Sequence, residues 1–364
     1  MRKNFRFLLA AFVALQALTA CGGSDDAPVQ ATVIGHRGAS ALRPEHTLAA
    51  YQKAIEDGAD FIEPDLVITA DGVLVARHEN EISGTTDVAS KPEFAARRTT
   101  KSIDGVATTG WFTEDFTLAE LKTLRAIERI PQNRPANTAF NGQFPVPTLQ
   151  EVIDLAQQQT RATGRTIGIY PETKHPTFFQ SIGKPLEAPL LDVLARNGYT
   201  EATSPVFVQS FEVANLKFLR TRTRVRLVQL YGGPTQRPFD FTAAGDTRTY
   251  GDLATAAGLR EVATYAQGVG PVKDLVIPRD ASNNLGTPTA FVANAHAANL
   301  IVHIYTLRPE NPFLPANLRR GNTASPSERG DMVAEIQAFL AAGVDGFFTD
   351  DPAVGRVAVT SFRR

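Results

Sequence analysis

Residues 59–68 read Ala59-Asp60-Phe61-Ile62-Glu63-Pro64-Asp65-Leu66-Val67-Ile68, an apolar, β-type run that carries two carboxylates two positions apart. On extended backbone, residues i and i+2 point to the same side, so Glu63 and Asp65 share a face. Upstream, Ala31–Gly35 forms a second short buried-strand pattern ending on His36-Arg37-Gly38, and residues 46–57 have helical apolar spacing. Downstream, the Asp71-Gly72 turn returns the chain into a third short strand at Val73–Ala76, followed by His78. The alternation continues with helix 148–158, strand 165–170, helix 185–197, strand 206–209, helix 212–220 and strand 226–230. It closes with helix 251–258, strand 261–265, helix 288–298, strand 300–305, helix 331–342 and strand 345–348. Such alternation predicts an α/β fold. Periodicity leaves a closed barrel and an open sheet both open. The polar residues favour the barrel: His36, Glu63, Asp65, Glu172, Lys174, Gln209, Tyr305 and Asp350 fall at or just beyond the ends of many different strands. A (β/α)8 barrel presents such a ring at its C-terminal face, whereas an open sheet gathers polar groups near one switch point.

Residues 79–147 break the pattern with clustered Thr, Gly, Asn and Pro, and only one helical stretch is expected there, Leu118–Ile130 after the cap candidate Thr117. The segment reads as an insertion or lid. The barrel domain is expected over residues 31–355. Over the whole chain, 364 residues with 43% hydrophobic and 21% charged content suffice for a large apolar core and disfavour disordered or multi-spanning classes. With 37 basic against 38 acidic residues, no nucleic-acid partner is expected. The single cysteine excludes an intrachain disulfide and a thiolate-rich zinc site.

That cysteine, Cys21, follows a positive n-region (Arg2, Lys3, Arg6) and an apolar stretch from Phe7 to Leu18. Leu18-Thr19-Ala20-Cys21 resembles a bacterial lipoprotein signal, in which the cysteine becomes the lipidated first residue. Residues 1–20 are then a signal peptide and 21–30 a flexible tether. The expected place is extracytoplasmic: a periplasmic, outer-membrane-anchored lipoprotein, with a soluble secreted form as the alternative.

Glu172-Thr173-Lys174 repeats the i, i+2 geometry of Glu63-Pro64-Asp65. Three carboxylates from two strand ends suit a hard cation with oxygen ligands, Ca²⁺ or Mg²⁺. Carboxylates held in ordinary Arg and Lys networks are the alternative. Arg37 offers fixed planar donors to a phosphate oxygen, with Gly38 allowing close backbone approach. His36 and His78 beside one metal are suited to general acid–base work, because imidazole titrates near neutrality. Each histidine taken alone also fits a hydrogen-bonded structural role.

The ordered set His36-Arg37-Gly38-Ala39, Pro44-Glu45-His46-Thr47, Glu63-Pro64-Asp65 and His78 resembles the glycerophosphodiester phosphodiesterase family, particularly its periplasmic bacterial branch. The likeness continues through Gly168–Lys174, Val208–Phe211 and Gly343–Asp350, and covers about residues 32–352. The resemblance implies a TIM (β/α)8 barrel with a small insertion after the second strand. It implies metal ligands Glu63, Asp65 and Glu172, with Ca²⁺ as the first choice of cation, and a catalytic pair His36 and His78. Arg37 and Lys174 are the implied phosphate partners. The implied reaction is hydrolysis of glycerophosphodiesters such as glycerophosphocholine and glycerophosphoethanolamine to sn-glycerol 3-phosphate and an alcohol. It runs through a cyclic phosphate, with one histidine as base and the other as acid; the resemblance leaves the order open, and His36 is taken as the base and His78 as the acid. Two alternatives are a phospholipase-D-like enzyme acting on lysophospholipids and a surface binding lipoprotein.

Departures from the family pattern are Glu79 for Asp, His46 for Asn and Tyr305 for Trp; they bear on substrate fit. His46 is read as a brace of the site. His175 is expected to point away from Lys174, and His296 to lie on a helix surface. His303 faces either the barrel mouth or a buried hydrogen bond. Gln209, Phe211 and Tyr305 are pocket candidates, and Phe348 joins Phe211 and Tyr305 as an apolar wall if these rings are not simply core.

Overall fold

The computed structural model describes residues 31–363; the expected signal segment, the tether and Cys21 lie outside the described residues. Eight parallel strands form a ring. They are Thr32–His36, Phe61–Glu63 continuing as Asp65–Ile68, Gly168–Ile169 continuing as Glu172–Thr173, Phe207–Ser210, Arg226–Tyr231, Gly268–Pro271, Ile301–Leu307 and Gly346–Thr349. The first strand pairs with both the second and the eighth, in registers Ile34↔Phe61 and Thr32↔Gly346. Asp65↔Glu172 and Glu172↔Gln209 continue the ring through the third and fourth strands, and the remaining neighbours pair in sequence order. The expected barrel is therefore closed.

Two strands are interrupted where proline supplies no N–H, at Pro64 and Pro171. Their carbonyls remain in the ladder: Pro64 O accepts from Glu172 N at 3.0 Å and Pro171 O from Gln209 N at 2.9 Å. The interruptions thus leave Glu63, Asp65 and Glu172 in register at one end. Inside the ring, Ile34, Tyr170, Phe207, Val228 and Phe348 pack as one cluster. A larger apolar layer lies between strands and helices. Helix Leu149–Thr163 shows why those helices form: Thr148 and Glu151 make a capping box, and Leu149, Val152, Ile153 and Ala156 recur on one buried face.

Several sequence expectations are corrected. The strand expected at 261–265 is the end of helix Ala256–Val262 and the turn after it; the strand is Gly268-Val-Gly-Pro271. Gly and Pro hide it from a propensity reading, yet the barrel requires those glycines. A Cβ on Gly268 would stand 2.8 Å from Ile301 Cγ1, and one on Gly270 2.5 Å from Leu230 Cδ2. The fold does not close on its last strand: helix Pro352–Ser361, capped by Asp351, follows it. Two further helices, Pro176–Ser181 and Phe239–Ala244, occupy segments without a helical expectation.

The insertion leaves the barrel after strand Leu74–Ala76, which pairs antiparallel with Asp65–Ile68, and rejoins it at helix Leu149–Thr163. Its helix covers Leu118–Leu121 rather than 118–130. Beyond it the chain is drawn into tertiary pairings: Ala126 N donates to Phe144 O, and Glu128 N to Asn141 Oδ1. A hairpin, Thr99–Ile103 with Val106–Gly110, turns at Asp104-Gly105, both with positive φ. Phe94, Trp111, Phe112, Phe116, Leu121 and Leu124 give the insertion buried apolar packing. Among the described residues, no helix is long and apolar enough to cross a membrane.

Candidate active site

At the C-terminal end of the ring, Glu63, Asp65 and Glu172 bring carboxylate oxygens within 4.8 Å of one another, all three buried. The crowding shows in their protonation. Burial, then Asp65 and Glu172, push Glu63 well up, and burial with Asp65 raises Glu172 to about 8 despite Lys174. Asp65 stays low against burial because His46 donates to it.

Each carboxylate has an organising partner. Arg37 N donates to Glu63 Oε2 at 2.7 Å and Gln209 Nε2 to Glu63 Oε1 at 3.1 Å. His46 Nε2 lies 2.9 Å from Asp65 Oδ2, and Lys174 Nζ 2.9 Å from Glu172 Oε1. Asp65 Oδ1 and Gln209 Oε1 are buried with no hydrogen-bond partner. Unpaired buried acceptors are costly, and an all-oxygen set at this spacing fits a hard divalent cation.

Two imidazoles face the same cavity of about 310 Å³, with Arg37, Gln209, Phe211, Tyr305 and Phe348 also among its walls. His36 Nδ1 is 2.5 Å from Asp350 Oδ1, and His78 Nδ1 is 2.8 Å from Glu79 Oε1. A carboxylate can only accept, so each Nδ1 carries the hydrogen and each Nε2 keeps the lone pair. Burial, reinforced by Arg37, lowers His36 to about 4 in spite of Asp350. Burial, then Arg37 and Lys174, lower His78 to about 3 against its bond to Glu79. Both rings are therefore neutral at pH 7. Arg37 is in left-handed backbone at φ 60, and Gly38 follows at φ 87, where a Cβ would stand 2.5 Å from Ala50 C.

All ten sequence-derived site residues converge here. His46 is fully buried between Asp65 and Tyr51 Oη (2.7 Å) and braces the carboxylate. His303 is not at the mouth; its Nδ1 lies 3.0 Å from Tyr170 Oη inside the barrel. His296 pairs with Asp345 on the surface. His175 bridges Glu79 (2.9 Å) and the hairpin residue Asp104 (2.6 Å). The sequence reading placed Asp350 at the rim without giving it His36 as a partner. It named Glu45 only within the Pro44–Thr47 motif and gave it no role; Glu45 receives Arg37 Nη1 at 3.1 Å and Arg129 Nε at 2.8 Å. The sequence reading missed Arg134 and Arg308, which hold Asp350.

A closed (β/α)8 barrel with this end defines a metal-ready phosphodiester hydrolase, since anion donors, carboxylate-backed imidazoles and a cation cradle all open on one cavity. The model of the glycerophosphoryl diester phosphodiesterase family matches residues 36–354, and the chain belongs to that family. Similar proteins come from plants and bacteria. Glycerophosphodiester phosphodiesterase GDPD6 of Arabidopsis thaliana is 38% identical over 87% of this chain and 82% of its own length. The glycerophosphodiester phosphodiesterase of Haemophilus influenzae is 30% identical over 89% and 88%. The fold aligns with a solved Silicibacter pomeroyi protein at TM-score 0.64, with 22% identity over 92% of this chain and 94% of that one. It also aligns with an Oleispira antarctica phosphodiesterase, solved with the product sn-glycerol-3-phosphate, at TM-score 0.56 and 19% identity over 91% and 97%.

Proposed function

We propose that the enzyme cleaves water-soluble glycerophosphodiesters, glycerophosphocholine and glycerophosphoethanolamine among them, to sn-glycerol 3-phosphate and the free alcohol. The observation that carries this reading is the pair of carboxylate-backed imidazoles opening on one cavity with Arg37 and the three carboxylates. Glu63, Asp65 and Glu172 hold the divalent cation, with Ca²⁺ first and Mg²⁺ second among candidates. When bound it supplies Lewis-acid stabilisation of negative phosphoryl oxygens.

The chain's own groups do the rest. Arg37 and Lys174 orient the phosphate and balance its charge. His36, neutral and fixed by Asp350, takes the proton of the glycerol 2-hydroxyl through Nε2 as that oxygen attacks phosphorus and forms a cyclic 1,2-phosphate. His78, with Glu79 on Nδ1, gives a proton from Nε2 to the departing alcohol; the anionic substrate beside it favours the imidazolium. Water then opens the ring with the two roles reversed. The Oleispira protein's product complex, on the same fold, supports glycerol 3-phosphate as the product.

The test compares glycerophosphocholine with lysophosphatidylcholine by ³¹P NMR. Glycerol 3-phosphate from the first and little turnover of the second are expected. Preference for the lipid would replace this reading with the phospholipase-D-like one, and turnover of neither would favour a binding protein. We further propose the cell envelope, through lipidation of Cys21, as the site of action. Cys21→Ser should then move the protein from the membrane to the soluble fraction, and unchanged partition would refute the anchor.

A further inference from the structure

Beside the catalytic cavity lies a second one of about 580 Å³. The two share Glu172, Phe211 and Tyr305 as a common wall. The second cavity is on the side of Lys174, whose Nζ stands 3.5 Å from His78 Nε2. If His78 protonates the departing alcohol, the rest of that alcohol lies on this side. This placement of the alcohol rests on the reaction proposed above.

Four aromatic rings, Phe211, Phe239, Tyr250 and Tyr305, line the second cavity. Phe211 stands edge-on to Tyr250 and Tyr305, with centroids 6.2 and 5.9 Å away. Tyr250 Oη donates to Phe211 O at 3.2 Å and Tyr305 Oη to Tyr231 O at 2.7 Å. With both hydroxyls engaged on backbone, what these residues offer a ligand is ring surface. The tip of the insertion hairpin completes the enclosure: Asp104 lines the cavity, and a Cβ on Gly105 would come 3.8 Å from Phe239.

The charges do not all cancel locally. Lys174 is taken by Glu172, and His175 by Glu79 and Asp104. Arg237 is exposed and donates to Asp246 O. Glu212, only 3% exposed, bonds to the amide and hydroxyl of Thr177 and pairs with no cation among the described residues. Asp104 Oδ1, and Oδ1 of neighbouring Asp240, are buried without a hydrogen-bond partner. Burial, then Asp240 and Asp104, push the Glu212 carboxyl to about 8 against the Thr177 bonds. Glu212 therefore holds its proton near pH 7, and a cation entering beside it would draw that proton off and leave a carboxylate as its counter-charge.

A primary ammonium needs several acceptors, and those of Glu212 are already shared with Thr177. A trimethylammonium group needs none; it needs ring faces and a nearby negative charge. We propose that the second cavity is the leaving-alcohol subsite and that it selects a quaternary ammonium alcohol, held against Phe211, Phe239, Tyr250 and Tyr305 with Glu212 as counter-charge.

Two readouts test this. Calorimetric titration with choline and with its uncharged isostere 3,3-dimethylbutan-1-ol reads the subsite without turnover. Choline should bind about tenfold or more tightly, a margin that Glu212→Gln removes. In kinetics, Glu212→Gln and Tyr250→Leu should each lower the ratio of kcat/KM for glycerophosphocholine over glycerophosphoglycerol by about tenfold. Equal binding of choline and its isostere, or an unchanged ratio in both variants, would overturn the subsite. Selective choline binding in a protein that hydrolyses neither diester would overturn the reaction and leave the subsite standing.

Discussion

Four of the six non-glycine residues with positive φ among those described, Arg37, His46, Asp104 and His175, sit around the two cavities. Left-handed backbone costs such residues of order 1–3 kcal/mol each, and at Arg37 the return is visible: the amide reaches Glu63 while the guanidinium reaches Glu45. In the proposed mechanism Asp350 acts at one remove, through its bond to His36. An Asn at 350 keeps an acceptor for Arg134 but no longer imposes the tautomer. Asp350→Asn should therefore lower kcat by roughly 10²–10⁴-fold with a much smaller change in KM, as should His36→Ala. A steady-state comparison in which Asp350→Asn retains wild-type kcat would remove Asp350 from the mechanism.

At the scale of elements, the insertion is tied to the barrel through buried charge. Arg134 reaches Glu310 at 2.7 Å and also bonds Asp350, with all three side chains at most 3% exposed. Arg134→Ala strands the buried Glu310 and leaves Asp350 with only Arg308 and His36, and should cost about 3–5 kcal/mol in urea denaturation; a loss under 1 kcal/mol would show that this tie is dispensable. The hairpin's tie to His175 is pH-sensitive. Hydrogen bonds to Asp104 and Glu79 outweigh burial and raise His175 from 6.5 to about 9. A raised folded-state value means the contribution is complete below about pH 6.5 and disappears as pH rises through about 9. Thermal denaturation of wild type should therefore weaken across that window relative to His175→Ala, and parallel curves would contradict the assignment.

The same elements show what the sequence made legible. Alternating runs with polar residues at their ends marked most of the barrel, because burial pattern and chemistry coincide there. The i, i+2 carboxylates were readable because strand geometry alone aligns them. Strand Gly268–Pro271 was not, since its glycines answer to neighbouring side chains rather than to strand propensity. The insertion hairpin and residues 122–130 take their form from tertiary pairing. Arg134 carries no local mark of a partner 216 residues away.

For the molecule as a whole, the buried carboxylate cluster predicts that stability responds to a divalent cation. Three buried acids crowd one end of a closed ring, and a ligand that binds only the folded state stabilises it by mass action, about 2.7 kcal/mol at a hundredfold excess over Kd. Adding Ca²⁺ to chelator-treated protein should raise Tm, EDTA should reverse the rise, and Asp65→Asn should abolish most of it. A Tm indifferent to Ca²⁺ and to Mg²⁺ would leave the cluster without a resident cation.

The most direct test of the two-histidine, cation-assisted reaction is release of sn-glycerol 3-phosphate from glycerophosphocholine by exhaustively chelated enzyme, before and after Ca²⁺ or Mg²⁺ is restored. The predicted result is turnover that vanishes on chelation, returns with the cation, and does not return in His36→Ala or His78→Ala. Undiminished release by the chelated enzyme, or full activity in either histidine variant, would contradict it.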